Sequence, residues 1–274
     1  MERIKRFQIR GVPGWVTRVK FENRIVDYWA PESGAEHLLV AHDGQNVFDG
    51  HTSTHKNRTW EMAQSAIRVS EGLGITPPLI IAVFHSNSKK EPVGRTLDLS
   101  PQDIFQSGIP VTPTRKINIS LDDLRGNAYL DLIADQVIPA IAIEHKFQVN
   151  PEKTAMIGSS MGGLATLNGV ARRPDLYQTA LALSPHWTIG GKPLVESLIN
   201  ALPKPGKHKV WMSRGTKGLD RDYKPFQDLA DELMLMNGYR KNRDFESKVY
   251  ERSGHNERAW AKYLPSALKL WLSE

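Results

Sequence analysis

Ser160 lies in Gly158-Ser159-Ser160-Met161-Gly162, with a glycine two residues away on either side. The apolar run Ala155-Met156-Ile157 leads into it with strand character, and Leu164, Leu167, Val170 and Ala171 follow it at helical spacing. Strand, tight turn carrying a serine, then helix is the order that lifts a nucleophilic hydroxyl above the end of an open α/β sheet. The turn strains the serine backbone, and side chains at 158 and 162 would meet the neighbouring strand and helix. A helix opening at Met161 points its free N-terminal amides and the positive end of its dipole at a developing oxyanion. The five-residue pattern alone arises in about one chain in ten of this length. A Gly-rich turn would also satisfy it, so its weight comes from the flanking elements and from the acids and bases downstream.

On such a sheet the partners of a serine nucleophile come in the order serine, acid, histidine. His186, His208 and His255 come after Ser160. His208 precedes a strand and so lies at the wrong edge. His186 follows the strand directly after the elbow, which leaves no room for an acid before it. His255, in Ser253-Gly254-His255-Asn256-Glu257, follows the last strand and is the expected base; the plain alternative is a loop histidine beside a helix cap. Between Gly215 and Gln227 the carboxylates are Asp220 and Asp222. We favour Asp220, the earlier, with Asp222 as its rival, and either could instead cap the helix expected from Tyr223. The acid would fix the tautomer of His255 and stabilise its cation, and His255 would take the Ser160 proton and return it to the leaving group. The oxyanion would lie on the Met161 N–H and on one from the loop after the strand ending at Asp43. Each such donor is worth roughly 3 kcal/mol in the transition state.

The elements needed to hold these groups are legible along the chain. The first thirty or so residues read as antiparallel strands (Ile4 to Ile9, Val16 to Phe21, Arg24 to Trp29) broken by Pro13-Gly14 and Pro31. His37 to Asp43 and Leu79 to Phe84 read as buried strands, with a helix over Trp60 to Leu73 between them. Residues 85 to 126 are rich in Ser, Asn, Lys, Pro and Gly and read as an irregular excursion over one face of the sheet, in which Arg95 and Asp98 could pair. Alternation then becomes regular. A helix over Asn127 to Phe147, kinked at Pro139, precedes the elbow. Strands at Thr179 to Ser184, His208 to Ser213 and Phe245 to Glu251 then interleave with helices over Pro193 to Leu202, Tyr223 to Asn237 and Asn256 to Leu272. This alternation predicts a mostly parallel sheet with helices on both faces in one α/β domain over 1–274, with sites at the strand carboxyl ends.

Composition narrows the classes. The chain has 274 residues, 40% hydrophobic and 24% charged, as in an ordinary globular protein. No apolar run approaches the ~18 residues needed to span a bilayer. Basic residues near the N-terminus have no apolar stretch behind them, which argues against a signal peptide. The absence of cysteine excludes disulfides and a thiolate nucleophile. A cytoplasmic location is expected. The net charge of +6 comes from scattered residues and pairs such as Lys89-Lys90, Arg172-Arg173 and Arg240-Lys241. It predicts a solvated basic surface, with neither nucleic acid nor membrane as partner.

The sequence resembles the putative-esterase family of α/β hydrolases, which includes esterase D-type, enterochelin esterase-like and feruloyl esterase-like proteins and the mycolyltransferases. The stretches that carry the resemblance are Leu39 to Asn46, Arg95 to Pro101, Tyr129 to Gly163, Gly215 to Asp220 and Gly254 to Trp260. The resemblance implies an α/β-hydrolase fold without a separate lid domain, a Ser160/Asp220/His255 triad, and oxyanion amides from Met161 and Gln45. Some relatives carry the acid closer to the Gly-Thr pair, where Lys217 and Gly218 stand here, which leaves Asp220 as the carried-over acid.

Weaker signals complete the reading. Asp43, Phe48, His186 and Trp187, with Trp260 beside them, are expected to line the substrate pocket, although such aromatics also serve as ordinary core. His51 and His55 have metal-ligand spacing near His42, but the Gly and Thr/Ser residues around them describe a loop without supporting carboxylates, so no metal is expected. The expected activity is hydrolysis of a small-molecule carboxylic ester through an acyl-enzyme, without cofactor. The alternatives are an acyltransferase using the same intermediate and a catalytically silent binding module.

Overall fold

The computed structural model describes residues 1–55, 57–86, 91–112 and 119–273. Three antiparallel strands, β1 (Glu2–Phe7), β2 (Val16–Phe21) and β3 (Arg24–Trp29), lead into β4 (Leu38–Ala41), helix α1 (Met62–Leu73) and β5 (Leu79–Val83). Two short helices, α2 (Gly94–Leu99) and α3 (Gln102–Gln106), are followed by α4 (Gly126–Leu132) and α5 (Ile138–Glu144). Next come β6 (Thr154–Ser159), α6 (Met161–Arg172), β7 (Thr179–Leu183), α7 (Gly191–Asn200) and β8 (Lys209–Gly215). The one-turn α8 (Leu219–Asp222), then α9 (Lys224–Met236), β9 (Phe245–Tyr250) and α10 (Glu257–Leu272) complete the order.

Among the described residues nine strands form one sheet in the order β1-β2-β3-β5-β4-β6-β7-β8-β9. From β5 across to β9 every pairing is parallel, and β1, β2 and β3 extend the sheet antiparallel at one edge. The chain steps from β4 to β5 on one side and to β6 on the other, so the order reverses at β4. That is where crevices open at the carboxyl end of a parallel sheet.

The period of two along each strand divides the core. Leu39 and Ala41 of β4 and Ala155 and Ile157 of β6 face a layer containing Ala63, Trp260, Leu264 and Leu268 from α1 and α10. Val40 and Met156 face the opposite layer with Leu164, Leu167, Leu198 and Ala230. Both faces are covered, which is why the central strands read as continuous apolar runs.

Three details differ from the sequence expectation. The excursion over 85–126 contains α2, α3 and a 3-10 turn at Leu121–Asp123, although 87–90 and 113–118, and with them Lys89, Lys90 and Pro113, lie outside the described residues. Helices of five or six residues are too short to show a helical period. The expected helix over Asn127 to Phe147 is broken not at Pro139 itself but by a π-helical turn at Ile133–Val137, with Pro139 in the first turn of α5. The widened turn accommodates a residue that has no N–H to donate. Arg95 and Asp98 do not pair with each other. Arg95 forks onto Asp43, and Asp98 takes Arg24, with Arg125 beside it.

Part of the surface charge is paired. Arg172 meets Asp103 and Asp131, and Arg173 meets Asp135 and Asp175. No helix among the described residues is long and apolar enough to cross a membrane.

Arg18 on β2 makes two 2.7 Å bonds to Asp27 on β3, and Asp27 is fully buried. Removing one partner of a buried pair strands the other charge away from water. Arg18→Ala is therefore expected to lower unfolding free energy by about 3 kcal/mol, read as an earlier urea midpoint at unchanged slope. A loss too small to resolve would mean the pair does not hold the antiparallel edge together.

Candidate active site

The turn between β6 and α6 holds Ser160 at φ 57°, ψ −121°, a conformation that a residue with a side chain rarely adopts. Its amide donates to Leu183 O, and its carbonyl accepts from the amides of Gly163, Leu164 and His186. The glycine at 158 is required by close approach: a Cβ there would lie 2.3 Å from the Gly162 carbonyl. At Gly162 a Cβ would meet Asp43 Oδ2 at 3.1 Å, because the loop after β4 lies against the start of α6.

In that loop Asp43, at φ 55°, leads into a 3-10 turn through Gly44, Gln45 and Asn46. Asp43 O accepts from the Asn46 amide at 2.8 Å, and Asn46 Oδ1 accepts from the Thr54 amide. As the first residue of α6, Met161 has no acceptor for its N–H within the helix. Burial alone would raise the Asp43 pKa, but the Arg95 guanidinium against it holds it below the ordinary carboxylate value.

Asp220, on α8 after β8, is fully buried and accepts three hydrogen bonds. They come from His255 Nδ1 at 2.5 Å to Oδ1, and from Ser184 Oγ at 2.9 Å and the Gly215 amide at 2.6 Å, both to Oδ2. His255 lies in the loop between β9 and α10. With Nδ1 committed to Asp220, its Nε2 is the nitrogen left for other work. Asp222 points away, its side chain 55% exposed beside Arg221. The two aspartates left open by the spacing thus occupy different environments: one faces the histidine, the other faces water.

Two residues join the site without a motif to mark them. Ser184 directly follows β7 at φ 44°, donates to Asp220 and accepts from Trp260 Nε1 at 3.2 Å. Its only sequence signal is a polar residue at the carboxyl end of a parallel strand. Tyr223, expected only as a helix start, brings its hydroxyl to His186 Nδ1 and to the Ser160 side chain. Burial, with His255 and Arg95 nearby, depresses His186 to about 3, so it stays neutral. Burial and Asp220 raise Tyr223 above the ordinary phenol range, so it keeps its proton.

Ser160, Met161, His186, His255, Asp43 and Arg95 all border one cleft of about 660 Å³, together with Trp260 and Glu257. Depressions of 580 and 650 Å³ occur elsewhere on the surface, so volume alone does not single this one out. Two residues expected at the pocket lie away from it. Phe48 packs in the layer with Trp60 and α10, and Trp187 is buried in the opposite layer, its Nε1 donating to Gln227 Oε1 at 3.0 Å. Each comes after a strand end, where a pocket wall is expected, but its loop turns the ring inward. His51 and His55 belong to no group of three or more His, Cys, Asp or Glu that could hold a metal among the described residues. His55 meets Glu257 at 2.8 Å instead.

Comparison with known proteins adds an independent line. Residues 123–271 match the family described as Putative esterase. A search of curated proteins finds no match. Among solved structures, the enterobactin esterase FES from Shigella flexneri superimposes with a TM-score of 0.65 at 16% identity, covering 96% of this chain and 60% of that one. An IroE-like serine hydrolase from Shewanella oneidensis gives 0.67 at 17% identity, over 98% of this chain and 79% of that one. The siderophore hydrolase EstB from Aspergillus nidulans gives 0.63 at 16%, over 98% and 99%. The chain therefore spans less than two thirds of the Shigella enterobactin esterase, and at these identities the likeness is one of fold.

The Ser184 contact can be tested directly. Ser184→Ala removes one donor from Asp220 and the acceptor of a buried indole N–H. Turnover of an activated ester is expected to fall about tenfold, as for loss of a hydrogen bond to a charged group. Unchanged turnover in a folded variant would show that Gly215 and His255 hold Asp220 unaided.

Proposed function

The chain belongs to the putative-esterase family of carboxylic-ester hydrolases, and we propose on that premise that Ser160, His255 and Asp220 form its catalytic triad, acting through an acyl-enzyme on small-molecule esters. The observation that carries this reading is the 2.5 Å contact of His255 Nδ1 with buried Asp220, in the cleft that Ser160 borders from a strained turn. The contact orients the imidazole and stabilises the cation it becomes.

In the first half-reaction Ser160 Oγ leaves its contact with Tyr223, attacks the ester carbonyl carbon and passes its proton to His255 Nε2. Catalytic hydrogen bonds in unliganded enzymes often close only around substrate. The carbonyl oxygen becomes an oxyanion held by the Met161 and Gln45 amides. The tetrahedral carbon then expels the alkoxide, which takes the proton from His255 and departs as the alcohol. In the second half water attacks the acyl-enzyme by the same route, releasing the acid and restoring Ser160. Neutral His186, held by Tyr223, supports the wall of the cleft beside the nucleophile. A cleft of about 660 Å³ is in the range that takes a small molecule.

The proposal is tested with p-nitrophenyl esters of increasing acyl length, on wild type and Ser160→Ala together. Activity is expected in the wild type and only a background rate in the variant, with fluorophosphonate labelling confined to Ser160. Comparable turnover in Ser160→Ala would remove the serine from the mechanism. Labelling without hydrolysis would turn the reading toward acyl transfer.

A second comparison separates the two aspartates. Asp220→Asn is expected to lower kcat by about 10⁴-fold, as when the base is held in the wrong tautomer. Asp222→Asn should stay within about twofold, because an exposed ion pair contributes little. A reversal of that order would move the acid role to Asp222.

A further inference from the structure

Arg95 lies in the excursion, on α2, and reaches into the cleft from a helix far in sequence from the loops it touches. Its Nε donates to Asp43 Oδ1 and its Nη2 to Asp43 Oδ2, both at 2.7 Å, and Nη2 also approaches Ser159 O at 3.3 Å. One planar guanidinium therefore holds Asp43, in the loop after β4, and the residue just before Ser160. A lysine, a single point charge, cannot span both carboxylate oxygens in this way.

Asp43 in turn governs the turn that carries Gln45. It sits in the left-handed region at φ 55°, and its carbonyl closes that turn by accepting from Asn46. Its carboxylate stands 3.1 Å from where a Cβ would be at Gly162, one residue past Met161. Any shift of that carboxylate would thus change the spacing between the loop carrying the Gln45 amide and the helix carrying the Met161 amide. His85 Nε2 stands off at 3.7 Å from Asp43 Oδ1, and burial lowers the His85 pKa, so this neighbour does not replace the guanidinium charge.

We infer that Arg95 is a positioning residue for ester hydrolysis: by clamping Asp43 and the Ser159 carbonyl, it sets the separation of the two amides that receive the oxyanion. This rests on the esterase reading of Ser160. Arg95 borders the cleft, but the paired edge of its guanidinium is already filled by Asp43, which makes a fixed frame a better description than an open anion site. The clamp also gives α2 a purpose, since it ties the excursion to the catalytic loops.

The test uses the full chain with Arg95→Ala and Arg95→Lys, each checked for wild-type circular dichroism and melting temperature, with kcat and KM measured on p-nitrophenyl butyrate. A misplaced oxyanion donor acts in the transition state, so Arg95→Ala should lose about 10²-fold in kcat with KM within about threefold of wild type. Millimolar guanidinium chloride, well below denaturing concentrations, should restore part of that kcat in Arg95→Ala and none in Arg95→Lys, whose side chain occupies the space. A purely structural arginine would lower stability without this rescue, and that result would overturn the assignment. So would a raised KM at unchanged kcat, which would make Arg95 a substrate ligand, or wild-type kinetics in both variants. Should Arg95→Ala not fold, Arg95→Lys decides alone: reduced kcat at unchanged KM and melting temperature supports the clamp, and wild-type kcat rejects it. Fluorophosphonate labelling of Ser160 in the wild type is measured alongside. Its failure would sink the esterase reading, whereas labelled enzyme with indifferent Arg95 variants would sink only the clamp.

Discussion

The strained turn at Ser160 constrains the rest of the structure, because a residue with a side chain persists at positive φ only where its surroundings hold it there. Here three amides converge on its carbonyl while its own amide is tied to β7. The glycines at 158 and 162 let α6 start close against β6 and against the loop after β4. The sheet order completes the arrangement. Because it reverses at β4, the loops after β4 and β6 open on one crevice, and β7, β8 and β9 come next on the same side, each delivering a polar group at its carboxyl end. Ser184, Asp220 and His255 are neighbours because the strands before them are neighbours.

Buried charge is handled by forks. Arg18 meets Asp27, Arg24 meets Asp98, and Arg95 meets Asp43; in each case the aspartate is almost fully buried and the arginine comes from a different element. Such pairs add little net stability over apolar packing, yet losing one partner is costly, so they specify where elements sit. Two of the arginines belong to the antiparallel strands at the sheet edge. Arg18 also touches Asp49 beyond the β4 loop, and Asp98 shares Arg24 with the excursion contacts of Arg125 and Ser86. Through them the edge of the sheet and the excursion are connected to the loops bordering the cleft. Within the cleft, burial keeps His186 neutral, while His255 has the fully buried Asp220 carboxylate against its Nδ1.

By itself the sequence determined what is local. A period of two or near four, glycines at a turn and prolines at breaks act within a few residues, so the strands, the long helices, the elbow and the chain order of Ser160, Asp220 and His255 could all be read. Short helices such as α2 and α3, and the π turn ahead of Pro139, fall below the window in which a period can be counted. Only the tertiary structure decided which groups meet across the sheet. It turned Asp220 inward to His255 and Asp222 out to water, folded Phe48 and Trp187 away from the cleft, and sent Arg95 to Asp43 in place of Asp98. Those choices depend on strand order and on which buried charge lacks a counter-ion, and both are properties of elements dozens of residues apart, with no local pattern to announce them.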